Sequence, residues 1–150
     1  MENNKYIIRE IQENEIDKAN QLLNQLIIDE KKYDNNINEN YIIKNYYQNR
    51  KTDSCIFVAT LDNKIVAFLF GYIIEEALFI DRKAVLDALY VTEKNRKNGL
   101  ANLLINSFKS WCSEKNIEII EVTVCKNNFS AFNLYQKNGF DIFKYTMKLH

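Results

Sequence analysis

The feature that most constrains this fold is the order of apolar segments between residues 84 and 125. Residues 84–91 form an apolar run that contains one acid, Asp87, and a basic turn at residues 96–101 leads into a helical pattern that extends to about Lys115. The pattern places large side chains on one helix face, namely Leu100, Leu103, Leu104, Phe108, Trp111 and Cys112. A second apolar run follows at residues 119–125. A strand, a helix and a strand in succession predict a mixed α/β layout around one sheet.

The rest of the chain predicts further parts of the same sheet. β-branched and aromatic residues predict strands over residues 6–9, 55–60 and 65–74. Asp62 and Asn63 suit a tight turn, and Gly71 inside a strand indicates a bulge or bend. These segments and a final strand at residues 140–149 belong to one domain, residues 1–150.

Helical spacing of apolar residues predicts three more helices. The first begins at about Glu15, the second covers residues 39–49, and the third covers residues 129–137. Asn138 and Gly139 end the third helix. The polar residues 29–38 are predicted to be a loop, and so are residues 75–83. About four helices therefore flank the predicted sheet.

Composition excludes several functional classes. The chain has 20 basic and 20 acidic residues, so its formal net charge is zero and a broad nucleic-acid surface is not expected. Its only histidine is His150, which removes histidine-based metal sites and Ser-His-Asp catalysis. No apolar run is long enough to span a membrane, and the first residues lack a signal-peptide core. Cys55, Cys112 and Cys125 are expected to be buried free thiols, which suits a reducing cytoplasm.

The turn before the long helix is a candidate anion site. Exposed N–H groups and the dipole at a helix start favour a bound anion. Arg96 and Lys97 add positive charge, and Gly99 lets the backbone come close to a phosphate. The alternative interpretation is a solvated basic loop with a glycine-assisted helix start.

The same turn resembles a family signature. Arg96-x-x-Gly99-x-Ala101 is similar to the Gln/Arg-x-x-Gly-x-Gly/Ala motif of the GNAT-type N-acetyltransferase superfamily. The resemblance implies a mixed, mostly antiparallel sheet that is splayed at a cofactor cleft, and acetyl-coenzyme A (acetyl-CoA) as the cosubstrate. It implies that backbone amides of the motif hold the pyrophosphate, the motif being Arg96, Lys97, Asn98, Gly99, Leu100 and Ala101. It further implies that the backbone of Leu89, Tyr90 and Val91 holds the pantetheine arm and the acetyl carbonyl.

A second stretch strengthens the resemblance. Residues 128–140 read Asn-Phe-Ser-Ala-Phe-Asn-Leu-Tyr-Gln-Lys-Asn-Gly-Phe, which looks like the family's Asn-x-x-Ala-x-x-Leu-Tyr-x-x-x-Gly-Phe signature. The resemblance implies that Tyr135 protonates the departing thiolate and contacts the cofactor, and that Asn128 contacts the pantetheine arm. Without the resemblance, Asn128 is a helix cap and Tyr135 is a core aromatic residue.

Acidic residues mark a candidate acceptor side. Asp87 is costly to bury in an apolar strand unless it is paired or functional, and some family members carry a base near this position. A paired structural carboxylate is the alternative. Six acids in the two predicted loops would attract a cationic amine, or are merely solvated; they are Asp29, Glu30, Asp34, Glu75, Glu76 and Asp81. Four tyrosines either line the acceptor pocket or cover the sheet, and they are Tyr33, Tyr41, Tyr46 and Tyr47.

The resulting hypothesis is acetyl transfer from acetyl-CoA to a primary amine of a small cationic molecule, polyamine- or aminoglycoside-like, within a ternary complex. Asp87, directly or through water, would take the amine proton, and Tyr135 would protonate the thiolate. Backbone N–H groups near residues 89–91 would stabilise the oxyanion, and this route requires no metal. The alternatives are a protein N-terminus or lysine as acceptor, and a coenzyme A-binding module without turnover. Neither nucleic acid nor a membrane is an expected partner.

The end of the sequence bears on assembly. Ten residues follow Phe140, whereas many family members have a longer final hairpin at this place. A single last strand fits this length, and so does a strand completed by a partner subunit. We therefore expect a homodimer.

Overall fold

The computed structural model describes residues 5–40 and 53–150. The first half contains β1 (Tyr6–Glu10), a 3-10 turn (Glu13–Glu15), α1 (Ile16–Glu30), β2 (Ser54–Leu61) and β3 (Lys64–Ile74). The second half contains β4 (Lys83–Val91), a 3-10 turn (Glu93–Asn95), α2 (Leu100–Glu114), β5 (Ile119–Val122) and α3 (Phe129–Lys137).

One five-stranded sheet organises these elements, with the strand order β1-β2-β3-β4-β5. The first four strands are antiparallel neighbours, and β5 is parallel to β4. Asp62 and Asn63, both with positive φ, form the turn between β2 and β3. The predicted mixed, mostly antiparallel α/β sheet is therefore confirmed. Three α-helices lie in the described ranges, and residues 41–49 of the predicted second helix lie outside them.

Two apolar layers cover the sheet. The α2 layer contains Leu69, Leu104, Phe108 and neighbouring side chains, and the α1 layer contains Phe68, Phe70 and Leu22. Complete burial of one such side chain contributes about 1.5–3 kcal/mol to folding. Because successive residues of a strand point to opposite faces, the apolar run in β3 serves both layers at once. This double burial explains why its sequence is almost uninterruptedly apolar.

The pairing between β3 and β4 contains a bulge at Gly71. The register of β3 and β4 shifts between Phe70 and Gly71, since Phe70 pairs with Ala88 and Gly71 pairs with Leu86. Asp87 is therefore the extra residue on β4. A Cβ atom at Gly71 would overlap the Phe108 ring, so the glycine lets α2 lie close to the sheet at this point. The predicted irregularity at Gly71 is confirmed.

Several local predictions are wrong. α1 continues to Glu30, so Asp29 and Glu30 end a helix instead of starting a loop. The strand predicted at 119–125 ends at Val122, where its pairing with β4 stops. Residues 140–149 form no strand, because no strand of the described chain pairs with them. Leu103, placed in the buried stripe, is exposed, and so is the thiol-bearing Cys125. No helix in residues 5–40 or 53–150 has the length and apolarity that a membrane crossing needs.

Candidate active site

The site begins where β4 and β5 separate. Their pairing runs from Lys83 with Ile119 to Leu86 with Val122. Beyond Leu86, β4 continues to Val91 without pairing to β5. Within the described ranges, β3 is the only strand partner of β4 over residues 88–91. One edge of this segment, which includes Leu89, Tyr90 and Val91, therefore faces an opening between the strands. Its backbone can pair there with an extended, amide-containing ligand.

The turn that follows β4 is built by its own side chains. The Asn98 amide nitrogen donates to the carbonyl oxygens of Asn95 and Arg96, at 3.0 and 3.1 Å. Lys97 and Gly99 have left-handed φ angles of 64° and 75°, which turn the chain sharply before α2. No acceptor in the described part of the chain receives a hydrogen bond from the N–H groups of residues 97–102. These N–H groups and the helix start form a concentration of unpaired donors suited to phosphate oxygens.

Arg96 links the turn to two other parts of the chain. Its Nε donates to the Val91 carbonyl oxygen at 2.9 Å, and its Nη2 lies 3.2 Å from the Asp29 carboxylate. The guanidinium also stacks over the Tyr90 ring, 5.5 Å from the ring centroid. These contacts tie the turn to β4 and to the end of α1. Lys97 remains as an exposed cation at the turn.

Among the other motif residues, Leu100 packs in the core and Asn128 caps a helix. Leu100, the first residue of α2, is buried in the α2 layer, and Ala101 follows it in the first helical turn. Asn128 caps α3, because its side-chain oxygen accepts a hydrogen bond from the Ala131 N–H at 3.2 Å. The capping interpretation of Asn128 is thus correct, and its amide nitrogen is the part left for a ligand.

Tyr135 lies on α3 in an apolar setting. Its ring contacts the Phe140 ring edge to face, with the centroids 5.7 Å apart, and both rings pack against the α2 layer. Burial and the nearby Glu30 carboxylate raise the pKa of Tyr135 to about 12. The hydroxyl is therefore protonated at neutral pH, which a proton donor requires.

Three carboxylates lie near enough to Glu30 to act on it through their charge, and we call the four residues the acidic cluster: Asp29, Glu30, Asp34 and Asp87. Burial raises the pKa of Glu30, and the negative charges of Asp87, Asp29 and Asp34 raise it further. Asp29 is already paired with Arg96, and Asp87 is exposed at the bulge of β4. The cluster is therefore a region of negative potential between the end of α1 and the middle of β4.

The remaining predicted acids lie elsewhere. Glu75, Glu76 and Asp81 belong to the connection between β3 and β4, where they line a separate depression with Phe79 and Arg82. Of the four tyrosines considered for the acceptor side, Tyr33 follows α1, with the Lys32 ammonium 5.2 Å from its ring centroid. Tyr41, Tyr46 and Tyr47 lie outside the described residues.

The three cysteines are free thiols with raised pKa values. Burial raises the pKa of Cys55, and it raises that of Cys112 to about 11. At Cys125, burial and the carboxylates Asp34 and Glu30 raise the pKa, while Lys148 lowers it. A protonated thiol is a poor nucleophile, so no cysteine has an activating environment. No group of metal-ligating side chains that could hold an ion occurs within residues 5–40 and 53–150.

Two features of this site were not predicted from the sequence. The ion pair of Arg96 with Asp29 joins residues 67 positions apart, and no local pattern signals such a pair. Glu30 was one of six similar loop acids, and only the fold brings it beside both Asp87 and Tyr135. The glycine in β3 was the one available signal for the bulge that exposes Asp87.

Comparison with known proteins agrees with this geometry. Over an alignment of 91 positions, the chain is 32% identical to an N-alpha-acetyltransferase of Saccharolobus solfataricus, and the match covers 56% of this chain and 54% of that relative's length. A tetramutant protein from Bacillus halodurans has a similar structure, with a TM-score of 0.83 at 22% identity over 96% of this chain and 99% of that one.

A second solved structure adds a named activity. An aminoglycoside acetyltransferase from an uncultured soil metagenomic sample, in complex with trehalose, is 25% identical, with a TM-score of 0.70 over 95% of this chain and 97% of that one. The sequence model of the Acetyltransferase (GNAT) family matches residues 20–140. The chain therefore belongs to the GNAT family of acetyltransferases.

Proposed function

We propose that this protein transfers the acetyl group of acetyl-CoA to a primary amine of a small cationic molecule. The observation that carries the proposal is the separation of β4 from β5 beside a helix start with unpaired N–H groups. That opening offers donors for phosphates and amide-pairing positions for an extended arm. The chain also carries a candidate proton donor, Tyr135, and the acidic cluster, in which burial and the neighbouring carboxylates raise the pKa of Glu30.

Each residue of the site has a role in this proposal. The N–H groups at residues 97–102 bind the pyrophosphate, and Arg96 keeps their loop in place. The free edge of β4, including Leu89, Tyr90 and Val91, pairs with the pantetheine arm, and the Asn128 amide nitrogen donates to it. Acetyl-CoA supplies the activated acyl group, and the chain supplies orientation and proton transfer.

The chemical step is direct transfer. Asp87, through water or directly, accepts a proton from the substrate ammonium, so that the neutral nitrogen attacks the thioester carbonyl. Backbone N–H groups of β4 donate to the oxygen on which negative charge develops. As the new C–N bond forms and the C–S bond breaks, Tyr135 gives its proton to the sulfur. The nitrogen then releases its second proton to solvent, and solvent returns a proton to the Tyr135 oxygen. The raised pKa values of all three cysteines support this route over a cysteine-bound intermediate.

The acidic cluster supports a small cationic acceptor. Its carboxylates come from α1, the turn after α1 and β4, and their combined charge attracts a cationic amine. The similar aminoglycoside acetyltransferase acts, by its name, on a polycationic class of molecule. A protein N-terminus is the second candidate, favoured by the similar N-alpha-acetyltransferase. Buried thiols at Cys55 and Cys112 suit a reducing compartment, and we propose the cytoplasm as the location.

Thiol release during acetyl transfer tests the proposal. The chain is incubated with acetyl-CoA and three acceptor classes: polyamines, aminoglycosides, and peptides with free N-termini or lysines. We expect the free thiol to appear fastest with a polyamine or an aminoglycoside. Fastest release with a peptide would establish the second candidate. Binding of acetyl-CoA without thiol release across the whole panel would indicate a non-catalytic coenzyme A-binding module and contradict the proposal.

A further inference from the structure

Tyr6, on the first strand, contacts the segment that leads into α2. Its hydroxyl donates a hydrogen bond to Oδ1 of Asn95 at 3.0 Å, across 89 positions of the sequence. Asn95 is the last residue of the 3-10 turn after β4, and its Nδ2 donates to Oγ1 of Thr92 at 2.7 Å. We call the next six residues, 96–101, the donor turn. Their neighbours Tyr6 and Asn95 have no role in the proposed function.

The contact between Tyr6 and Asn95 joins parts of the sheet that are not neighbours. The strand order places β2 and β3 between β1 and β4. After β4 the chain first meets β3, where the Thr92 N–H donates to the Val66 carbonyl oxygen at 2.9 Å. It then meets β1 at Tyr6, the first residue of that strand. Tyr6 therefore holds this crossing segment on the side away from β4.

Asn95 in turn holds the donor turn. Its carbonyl oxygen accepts a hydrogen bond from the Asn98 amide at 3.0 Å, and its N–H donates to the Thr92 carbonyl oxygen at 2.9 Å. Every polar group of Asn95, in the main chain and in the side chain, thus has a partner. A shift of Asn95 would move the point to which Asn98 is bonded, and with it the backbone at Lys97 and Gly99.

The donor turn depends on such support because its backbone is costly to hold. Lys97 carries a side chain at a φ of 64°, in the left-handed region that glycine favours. In the described part of the chain, no acceptor receives a hydrogen bond from the N–H groups that are proposed to bind phosphate. Contacts from outside the turn must therefore keep it ordered before a ligand arrives. A site that is ordered in advance loses less entropy on binding, so its affinity is higher.

We propose that Tyr6 is a positioning residue for acetyl-CoA: its hydroxyl fixes Asn95, and Asn95 fixes the donor turn. This role rests on the proposed function, in which the N–H groups at residues 97–102 bind the pyrophosphate. Tyr6 acts through Asn95 and not on the reacting groups, so it affects the affinity for acetyl-CoA and leaves the chemical step unchanged. The phosphate donors are local in sequence, whereas one of their supports comes from the opposite edge of the sheet.

Tyr6→Phe tests this role by removing one hydroxyl and keeping the ring. Since a typical hydrogen bond is equivalent to about a 5-fold change in affinity, we expect the Kd of acetyl-CoA, measured by calorimetry, to rise by about that factor. The KM for acetyl-CoA should rise with it, and kcat at saturating acetyl-CoA should not change. An unchanged Kd would overturn the proposed role, and so would a lower kcat at an unchanged Kd.

Asn95→Leu shows whether the hydroxyl acts through Asn95. This variant removes both polar groups of the side chain at similar volume, so it should weaken acetyl-CoA binding at least as much as Tyr6→Phe does. Adding Tyr6→Phe to Asn95→Leu should cause no further loss, because the hydroxyl has already lost its partner. Additive losses in the double variant would mean that Tyr6 acts by another route, and they would overturn the proposed role.

Ile8→Val is the matched control for stability. Ile8 lies two residues further along β1 and packs, like Tyr6, against the α2 layer, but its aliphatic side chain cannot bond to Asn95. We expect Ile8→Val to lower the thermal midpoint and to leave the Kd of acetyl-CoA unchanged. An equal rise in Kd for Ile8→Val and Tyr6→Phe would mean that β1 acts through stability alone, against the proposed role. A parent chain that binds no acetyl-CoA would overturn the proposed function as well, whereas tight binding by both the parent and Tyr6→Phe would overturn the role of Tyr6 alone.

Discussion

The two sides of the proposed site differ in how the chain builds them. On the donor side, the proposal assigns the binding to backbone N–H groups at residues 97–102, and side chains such as Asn98 hold their loop in place. On the acceptor side, carboxylates from α1, the following turn and β4 act through their charge. The donor side is local in sequence and made of main chain, whereas the acceptor side depends on tertiary structure and on side chains.

This difference indicates which part of the site family members can share and which part can vary among them. Backbone donors at a helix start bind phosphate with many side-chain combinations, so only positions that need special φ angles are restricted. Side-chain carboxylates can be exchanged one at a time without disturbing the turn. A family can therefore keep its donor and change its acceptor, which agrees with relatives named for different acetyl acceptors.

Tyr135 is the proposed proton donor, and its substitution should have the largest effect. Tyr135→Phe keeps the ring that packs against Phe140 but removes the proton. We expect kcat to fall by about 100-fold or more, with the affinity for acetyl-CoA unchanged. Stopped-flow thiol release and calorimetric binding measure the two quantities. Tyr145→Phe removes a hydroxyl from the exposed segment after α3 and should leave kcat unchanged. Equal rates for the parent and Tyr135→Phe would refute the proposed acid.

Gly99 tests whether the donor side depends on backbone geometry. Gly99→Val forces a β-branched residue into φ 75°, where strain costs about 1–2 kcal/mol, although the added Cβ would lie in open space. We expect the affinity for acetyl-CoA, measured by calorimetry, to fall at least about 10-fold as the turn relaxes away from its donor geometry.

Gly139 provides the matched control for this prediction. It also has a positive φ, 93°, and open space where a Cβ would lie, but it ends α3 instead of starting α2. Gly139→Val should lower thermal stability by a similar amount and leave acetyl-CoA affinity unchanged. If both variants lose affinity equally, the loss comes from destabilisation and the turn is not the phosphate site.

The same contrast explains what the sequence could predict. The helix at residues 129–137 was predicted with correct bounds, because Asn128 caps it and Asn138 and Gly139 end it through local geometry. The turn at Gly99 was likewise visible as a glycine between a strand and an amphipathic helix. Both depend on interactions within a few residues, which is the range over which sequence patterns are informative.

Other features were beyond local patterns. The pairing of Arg96 with Asp29 was not predicted, because the two residues are distant in sequence and become neighbours only when α1 packs beside β4. Residues 140–149 have the alternation of a strand and were predicted as one, yet pairing also needs a second strand within reach. A pattern reports the preference of a segment, whereas its partner is a property of the assembled sheet.

Glu30 gives the smallest expected effect and the sharpest test of the acceptor side. Glu30→Gln removes one charge from the acidic cluster, and we expect kcat/KM for a cationic amine to fall about 10-fold, since charged hydrogen bonds contribute about 1.5–3 kcal/mol. The KM for acetyl-CoA should not change. Glu75→Gln removes the same charge from the separate connection between β3 and β4 and should have no effect; equal losses would mean that the acids act only as a diffuse field.

The titration of Glu30 adds a second readout. Because its pKa is raised in the folded chain, the carboxylate binds cations above that raised pKa, and kcat/KM should fall as the pH decreases through it. Glu30→Gln should remove this acidic limb. The sign for stability is opposite: above the raised pKa, the ionised group is held less favourably in the folded state than in the unfolded one. Glu30→Gln should therefore raise the thermal midpoint at neutral pH while lowering kcat/KM; a loss of both would assign Glu30 a structural role.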